Sequence, residues 1–133
     1  MVIVNEDFYI FREEVYRIGN SSSPKMSALR VGEINIYELK GVTMVVSNEK
    51  GISVFTLKGL QDEQLTGFAW QFKENTDVEP GLKLVDDKKP EHYILAPVRN
   101  MPLDEYKGLL KKMGIKCTKY LKIKKNGTME SIG

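Results

Sequence analysis

Gly41-Val42-Thr43-Met44-Val45-Val46-Ser47-Asn48-Glu49-Lys50-Gly51-Ile52-Ser53-Val54-Phe55 is the stretch on which the fold turns. Two β-branched runs, Val42–Val46 and Ile52–Phe55, flank a polar segment from Ser47 to Gly51. This predicts two strands joined by a short loop, with Gly51 free to take the positive φ that such a loop often needs. Strand alternation sends Ile52 and Val54 to one face and Ser53 and Phe55 to the other. A hydroxyl beside a large aromatic suits a planar polar ring. From this stretch alone, a strand whose serine bonds the backbone is the simpler reading.

C-terminal to this stretch, Thr56–Thr66 reads as a polar connection. Gly67–Phe72 reads as a strand with Phe68, Trp70 and Phe72 on one face. Lys73–Gly81 is a loop by its Asn, Asp, Pro and Gly content. Leu82–Val85 is a short strand, Asp86–Glu91 a charged turn, and His92–Ala96 a strand closed by Pro97. Pro102 opens the clearest helix: Asp104 and Glu105 sit in its first turn, and Leu103, Tyr106, Leu109, Leu110 and Met113 form one stripe. Gly114 is its expected C-cap. Ile115–Ile123 reads as a last strand, followed by a fraying tail.

On the N-terminal side a strand is expected near Glu14–Ile18, ending at Gly19 and the loop Asn20-Ser21-Ser22-Ser23. Ser23-Pro24 can start a short helix running to about Leu29 or Arg30. Val31–Leu39 fits either period. Short strands with one or two helices and no strand–helix alternation predict an α+β fold, in one domain over residues 1–133. The expected core holds Tyr16, Ile18, Val45, Val54, Phe72, Leu84, Ile94, Leu109 and Leu110.

A length of 133 residues with 41% hydrophobic and 29% charged residues bounds a globular chain with a real core. No apolar run approaches the roughly 20 residues of a membrane helix. The N-terminus lacks the basic region and apolar core of a signal peptide. One Cys, Cys117, excludes an internal disulfide, and one Cys with one His argues against a zinc site. The net charge of +2 divides into +7 over residues 107–133 and −5 over residues 1–106. That basic end could meet a nucleic acid or a nucleotide phosphate, or be a solvated face.

Walker loop, dinucleotide glycine fingerprint, cysteine pairs and nucleophile elbow are all missing. Three polar residues stand in or beside apolar runs. Arg17 ends the first strand and could hold a phosphate or ribose with its fork of donors, or lie in solvent beside Glu14. Ser53 follows a turn. His92 opens a strand and could bond a ligand, act as acid or base, or be a satisfied structural histidine. Side chains from three distant segments, at strand ends, can converge on one cleft.

Tyr16-Arg17, Gly51-x-Ser53-Val54-Phe55, Pro80-Gly81-Leu82-Lys83-Leu84 and His92-Tyr93-Ile94-x-x-Pro97 followed by Met101 occur in this order. Together they resemble the Tse-two toxins, type VI secretion effectors with a fold like the ADP-ribosyltransferases. The resemblance covers about Tyr16 to Leu110. It implies two packed, mainly antiparallel sheets with a cleft like an NAD site. Within that cleft Arg17 would match the superfamily's NAD-contacting arginine, Ser53 the strand serine beside the nicotinamide pocket, and His92 the histidine of the His-Tyr block. Phe55 or Trp70 would stack on the ring, with at least one of Tyr16 and Tyr93 nearby.

The resemblance also implies a toxin acting in the cytoplasm of a target bacterium, exported without a signal peptide. NAD would be its co-substrate, an unknown macromolecule the acceptor, and a cognate immunity protein its antidote; neither a membrane nor a metal is called for. The usual transferases carry a glutamate near the nicotinamide ribose in a Gln-x-Glu or Glu-x-Glu motif; no clear copy stands here, and Glu63, in Gln61-Asp62-Glu63, and Glu91 are the candidates for that role. Two classes stay open: an NAD-dependent ADP-ribosyltransferase, and a non-catalytic toxin or protein-binding module on the same scaffold.

Overall fold

The computed structural model of the chain describes residues 6–30 and 32–132. Residues 1–5, Val31 and Gly133 lie outside them, so the domain expected over 1–133 and the first position of the ambiguous Val31–Leu39 segment are described only in part. The elements in chain order are β1 (Glu6–Phe8), β2 (Val15–Gly19), β3 (Ile36–Leu39), β4 (Val42–Val45), β5 (Ile52–Phe55), α1 (Leu57–Asp62), β6 (Gly67–Phe72), β7 (Leu82–Asp86), β8 (His92–Pro97), β9 (Met101–Pro102), α2 (Leu103–Ile115), β10 (Thr118–Ile123) and β11 (Met129–Ser131).

The strands make two antiparallel sheets, one of eight strands in the order β1-β7-β8-β5-β2-β6-β10-β11 and one of three in the order β3-β4-β9. With two helices this is an α+β architecture. The larger sheet has a seam. Among the described residues β2 and β5 pair at one position, Tyr16 opposite Phe55. By contrast β2 runs along β6 for five pairs and β5 along β8 for four.

Alternation along β2 and β6 feeds two cores. Val15 and Phe72 join a large core with Phe11, Val54, Leu84, Leu95, Tyr106 and Leu110, where the Phe11 and Phe72 rings stack at 5.0 Å. Tyr16 and Ala69 face the other way into a smaller core with Leu60 of α1, Leu121 and Ile123. The three-stranded sheet and α2 cover the large core through Val45, Met101, Tyr106 and Met113. Of the expected core residues, Tyr16, Val45, Val54, Phe72, Leu84 and Leu110 are buried. Ile18, Ile94 and Leu109 are half-buried.

The opening stretch does not form a hairpin. β4 pairs with β3, and β5 pairs with β8 in the other sheet. The tight turn sits one strand earlier, at Lys40 (φ 50) and Gly41 (φ 83), the two consecutive positive-φ positions that a twisted two-residue hairpin requires. Gly51 is needed for closeness instead: a Cβ there would meet the Leu95 carbonyl and stand 2.8 Å from the Tyr106 hydroxyl. Residues 24–30 form turns rather than a helix, because Lys25 takes φ 55 and its N–H binds the Ser23 hydroxyl. Thr56–Thr66 contains α1, which its polar sequence hides; the Thr56 hydroxyl caps it by accepting from the Gly59 N–H at 3.1 Å. α2 continues through Gly114 to Ile115, where Lys116 is the cap. The tail pairs as β11 along β10 instead of fraying.

Candidate active site

Beyond the Tyr16–Phe55 pair the lips of the seam are Arg17–Gly19 on β2 and Ile52–Ser53 on β5. Arg17 bridges them. Its Nη1 donates to the Ser53 carbonyl at 3.0 Å. Its Nη2 donates to the carbonyls of Ala28 at 3.1 Å and Lys25 at 3.3 Å, so the same guanidinium ties down the 25–28 turn. Its Nε is buried without a partner among the described residues. Desolvation lowers the pKa of the guanidinium, and Glu33 opposes that shift.

The register of β5 and β8 sets Phe55 opposite His92 and Ser53 opposite Ile94, so Ser53 and His92 are diagonal neighbours on one face. His92 Nε2 lies 2.9 Å from Ser53 Oγ, and the Phe55 ring meets the imidazole edge-on at 5.1 Å. On the far side of the ring, Nδ1 lies 3.1 Å from Asp87 Oδ1. His92 is only 6% exposed. Three groups from distant segments, separated by 36 and 39 positions, are therefore linked through Ser53.

Two grooves meet at Ser53. One, of about 520 Å³, is lined by Arg17, Phe55, Arg30, Glu33 and Glu63. The other, of about 430 Å³, is lined by Arg30, Glu33, Lys50, Lys89 and His92. Arg30, Glu33 and Ser53 belong to both walls.

The other expected site residues lie elsewhere. Tyr16 is turned by alternation into the small core, where its hydroxyl accepts from Gln71 Nε2 at 2.9 Å. Trp70 packs against the large core and donates its indole N–H to the Asn20 carbonyl at 3.0 Å. Tyr93, next to His92 in sequence, faces away from Ser53 and donates to Glu13 at 2.6 Å; burial and that carboxylate raise its pKa. Phe55 is the aromatic residue of the expected set that lines the groove. Of the two carboxylates, Glu63 lines it, whereas Glu91 accepts from the Thr56 hydroxyl beside the α1 N-terminus.

Asp87, Glu33, Arg30, Lys50 and Lys89 escaped the sequence reading. Asp87 carried a faint signal, an acid five positions before a strand-opening histidine across a Lys-Lys-Pro turn. Glu33 and Arg30 carried none, since the irregular segment that holds them over Ser53 has no period. Among the described residues no group of three or more His, Cys, Asp or Glu could hold a metal ion. No helix among them is long and apolar enough to cross a membrane.

No curated protein matches the chain. A family model described as Tse2 ADP-ribosyltransferase toxin matches residues 40–120. That span carries Ser53, Phe55, Asp87 and His92, and it begins after Arg17. With more than half of its length matched, the chain belongs to the family of Tse2 ADP-ribosyltransferase toxins.

Proposed function

We propose that the chain binds NAD across the two grooves and transfers ADP-ribose to a macromolecular acceptor in a bacterial cytoplasm, acting as a single toxin domain. The observation that carries this reading is the run of hydrogen bonds from Arg17 through Ser53 to His92 at the mouth of the seam. Groove volumes of about 520 and 430 Å³ fall in the range of small-molecule sites, and together they offer room for a dinucleotide. The donor set fits as well. Arg30, Lys50 and Lys89 present cations to a diphosphate, Phe55 a ring face, and Ser53 a hydroxyl to a carboxamide.

NAD supplies the N-glycosidic bond that breaks and the ADP-ribose that moves. The chain's residues bind and orient it. Arg17 fixes the Ser53 main chain and the 25–28 turn, so the groove wall is rigid before ligand arrives. Ser53, backed by His92, holds the nicotinamide end. Glu33 and Glu63, the latter in Gln61-Asp62-Glu63, place carboxylates on the same wall, and a carboxylate there stabilises positive charge developing on the ribose. The proposed partners are a cognate immunity protein covering the cleft and an acceptor macromolecule. Proposed delivery is by type VI secretion without a signal peptide.

One observation favours the alternative, a non-catalytic toxin or binding module. The terminal nitrogens of Arg17, on the groove wall, are already engaged by main-chain carbonyls. Incubation with NAD labelled in the nicotinamide and in the adenosine separates the two readings. Released nicotinamide with label transferred to protein or nucleic acid supports the transferase. Neither product, and no binding in an NAD titration, overturns it.

A further inference from the structure

The Asp87–His92–Ser53 line has a direction that the two ends alone do not have. An ionised carboxylate can only accept hydrogen bonds, so at 3.1 Å from Asp87 Oδ1 the His92 Nδ1 is the N–H donor. In the neutral ring that leaves Nε2 as an acceptor, and at 2.9 Å its partner, the Ser53 hydroxyl, must donate. The Ser53 proton is then committed to the imidazole, and what Oγ offers to the grooves is a lone pair.

Asp87 is itself held in place. The same Oδ1 accepts from the Lys89 N–H at 3.3 Å, inside a turn where Lys88 (φ 63) and Glu91 (φ 60) bend the chain back toward β8. His92 is nearly enclosed, with the Phe55 ring on its flank, so it has little freedom to turn and change partners. We infer that Asp87 is a positioning residue: by fixing the His92 tautomer it turns Ser53 Oγ into an acceptor and selects ligands that present an N–H, such as a carboxamide, over those that present a carboxylate. The ligand part rests on the NAD reading above. The tautomer part does not.

The chain contains a single histidine, so its imidazole signals need no assignment. Long-range proton–nitrogen NMR on the free protein near neutral pH is expected to give the Nδ1–H tautomer. Asp87→Ala is expected to return the ring to the tautomer mixture of an untied imidazole, with thermal unfolding checking that the variant is folded. In titrations the wild type is expected to bind NAD at least about 10-fold more tightly than its nicotinic-acid counterpart, and Asp87→Ala to lose most of that preference. Turnover of NAD by the variant should fall about 100-fold, the cost of a misplaced contact.

An Nε2–H tautomer in the wild type, or one that Asp87→Ala leaves unmoved, overturns the role of Asp87. Equal binding of the two dinucleotides by the wild type overturns the selection of an N–H. Failure of the wild type to bind either overturns the ligand class together with the NAD reading. The spectra, which need no ligand, decide the Asp87 part in every case.

Discussion

Arg17 on β2 donates to the main-chain carbonyl of Ser53 on β5 at 3.0 Å, across the place where the two strands stop pairing. The arginine that the sequence marks as a ligand group is thereby also a structural tie. Arg17→Ala leaves three carbonyls without their donor. It is expected to lower stability by about 2–4 kcal/mol in denaturant unfolding, more than a surface arginine costs. Arg17→Lys is expected to recover only part of this, because an ammonium lacks the planar fork. Unchanged midpoints in both variants would remove Arg17 from this role.

Ser53→Ala should separate function from folding. The hydroxyl bonds one imidazole nitrogen and is half-buried, so its loss is expected to cost about 1 kcal/mol or less. NAD consumption and growth arrest on expression in a bacterial cytoplasm are expected to disappear. Full toxicity in the variant would exclude Ser53 from the site.

Tyr106→Phe tests how α2 is fastened beneath the cleft. The buried hydroxyl donates to the Leu95 carbonyl at 2.7 Å and accepts from the Ile52 N–H at 3.3 Å, joining β5 and β8 below Ser53. Two main-chain groups lose their side-chain partner in the variant. A loss of about 1–3 kcal/mol is expected by chemical denaturation.

Gly51→Ala should be among the most damaging single changes in the chain. The added methyl meets the Leu95 main chain and the Tyr106 hydroxyl at once, and backbone cannot swing aside as a flexible side chain can. Destabilisation of about 3 kcal/mol or more is expected, seen as loss of the folded circular-dichroism signal or of soluble protein.

Cys117 should be inert in the folded chain. Burial pushes its thiol pKa up from about 9 to about 11, despite the lysines around it in sequence, and its Sγ lies 3.1 Å from the Gly114 carbonyl. Alkylation near pH 8 is expected to be far slower in the native than in the unfolded protein, and Cys117→Ser to remain toxic. The folded pKa is the raised one. The stabilising contribution is therefore complete below about 9 and lost as pH rises toward about 11.

Locally determined features were legible in the sequence. The stripe of Tyr106, Leu110 and Met113 gave α2, and the alternation of Ile52 to Phe55 put Ser53 and Phe55 on one face. Pairing was not legible. β4 and β5 are both β-branched runs beside a polar segment, and no local preference says that they enter different sheets. α1 was missed because its six residues carry one fully buried side chain, Leu60, too few for a period. At the site, Ser53 and His92 stood out as polar residues in apolar runs. Asp87 lies in a charged turn where one acid looks like another, and only the bend at Lys88 and Glu91 brings it to the ring. Tyr16 and Tyr93 were misplaced for one shared reason: a residue beside a site residue on a strand faces the other way. Trp70 lies opposite Arg17 on β6 and is held instead by the large core and the Asn20 carbonyl.

The seam at Tyr16 and Phe55 also shapes how the protein comes into being. One half of the large sheet is made of β1, β7, β8 and β5, the other of β2, β6, β10 and β11. Neither is a continuous segment, since the chain passes back and forth across the seam from β1 to β11. The half that holds β5 has all its strands once β8 is made, whereas the half that holds β2 waits for β10 and β11, and most of the pairing is between strands distant in sequence, which folds slowly. The cleft is bounded by both halves. The site residues Arg17, Ser53 and His92 have all been made once β8 ends at Pro97, so a chain cut short before β10 carries the whole line but leaves β6, the strand along which β2 runs, without its outer partner.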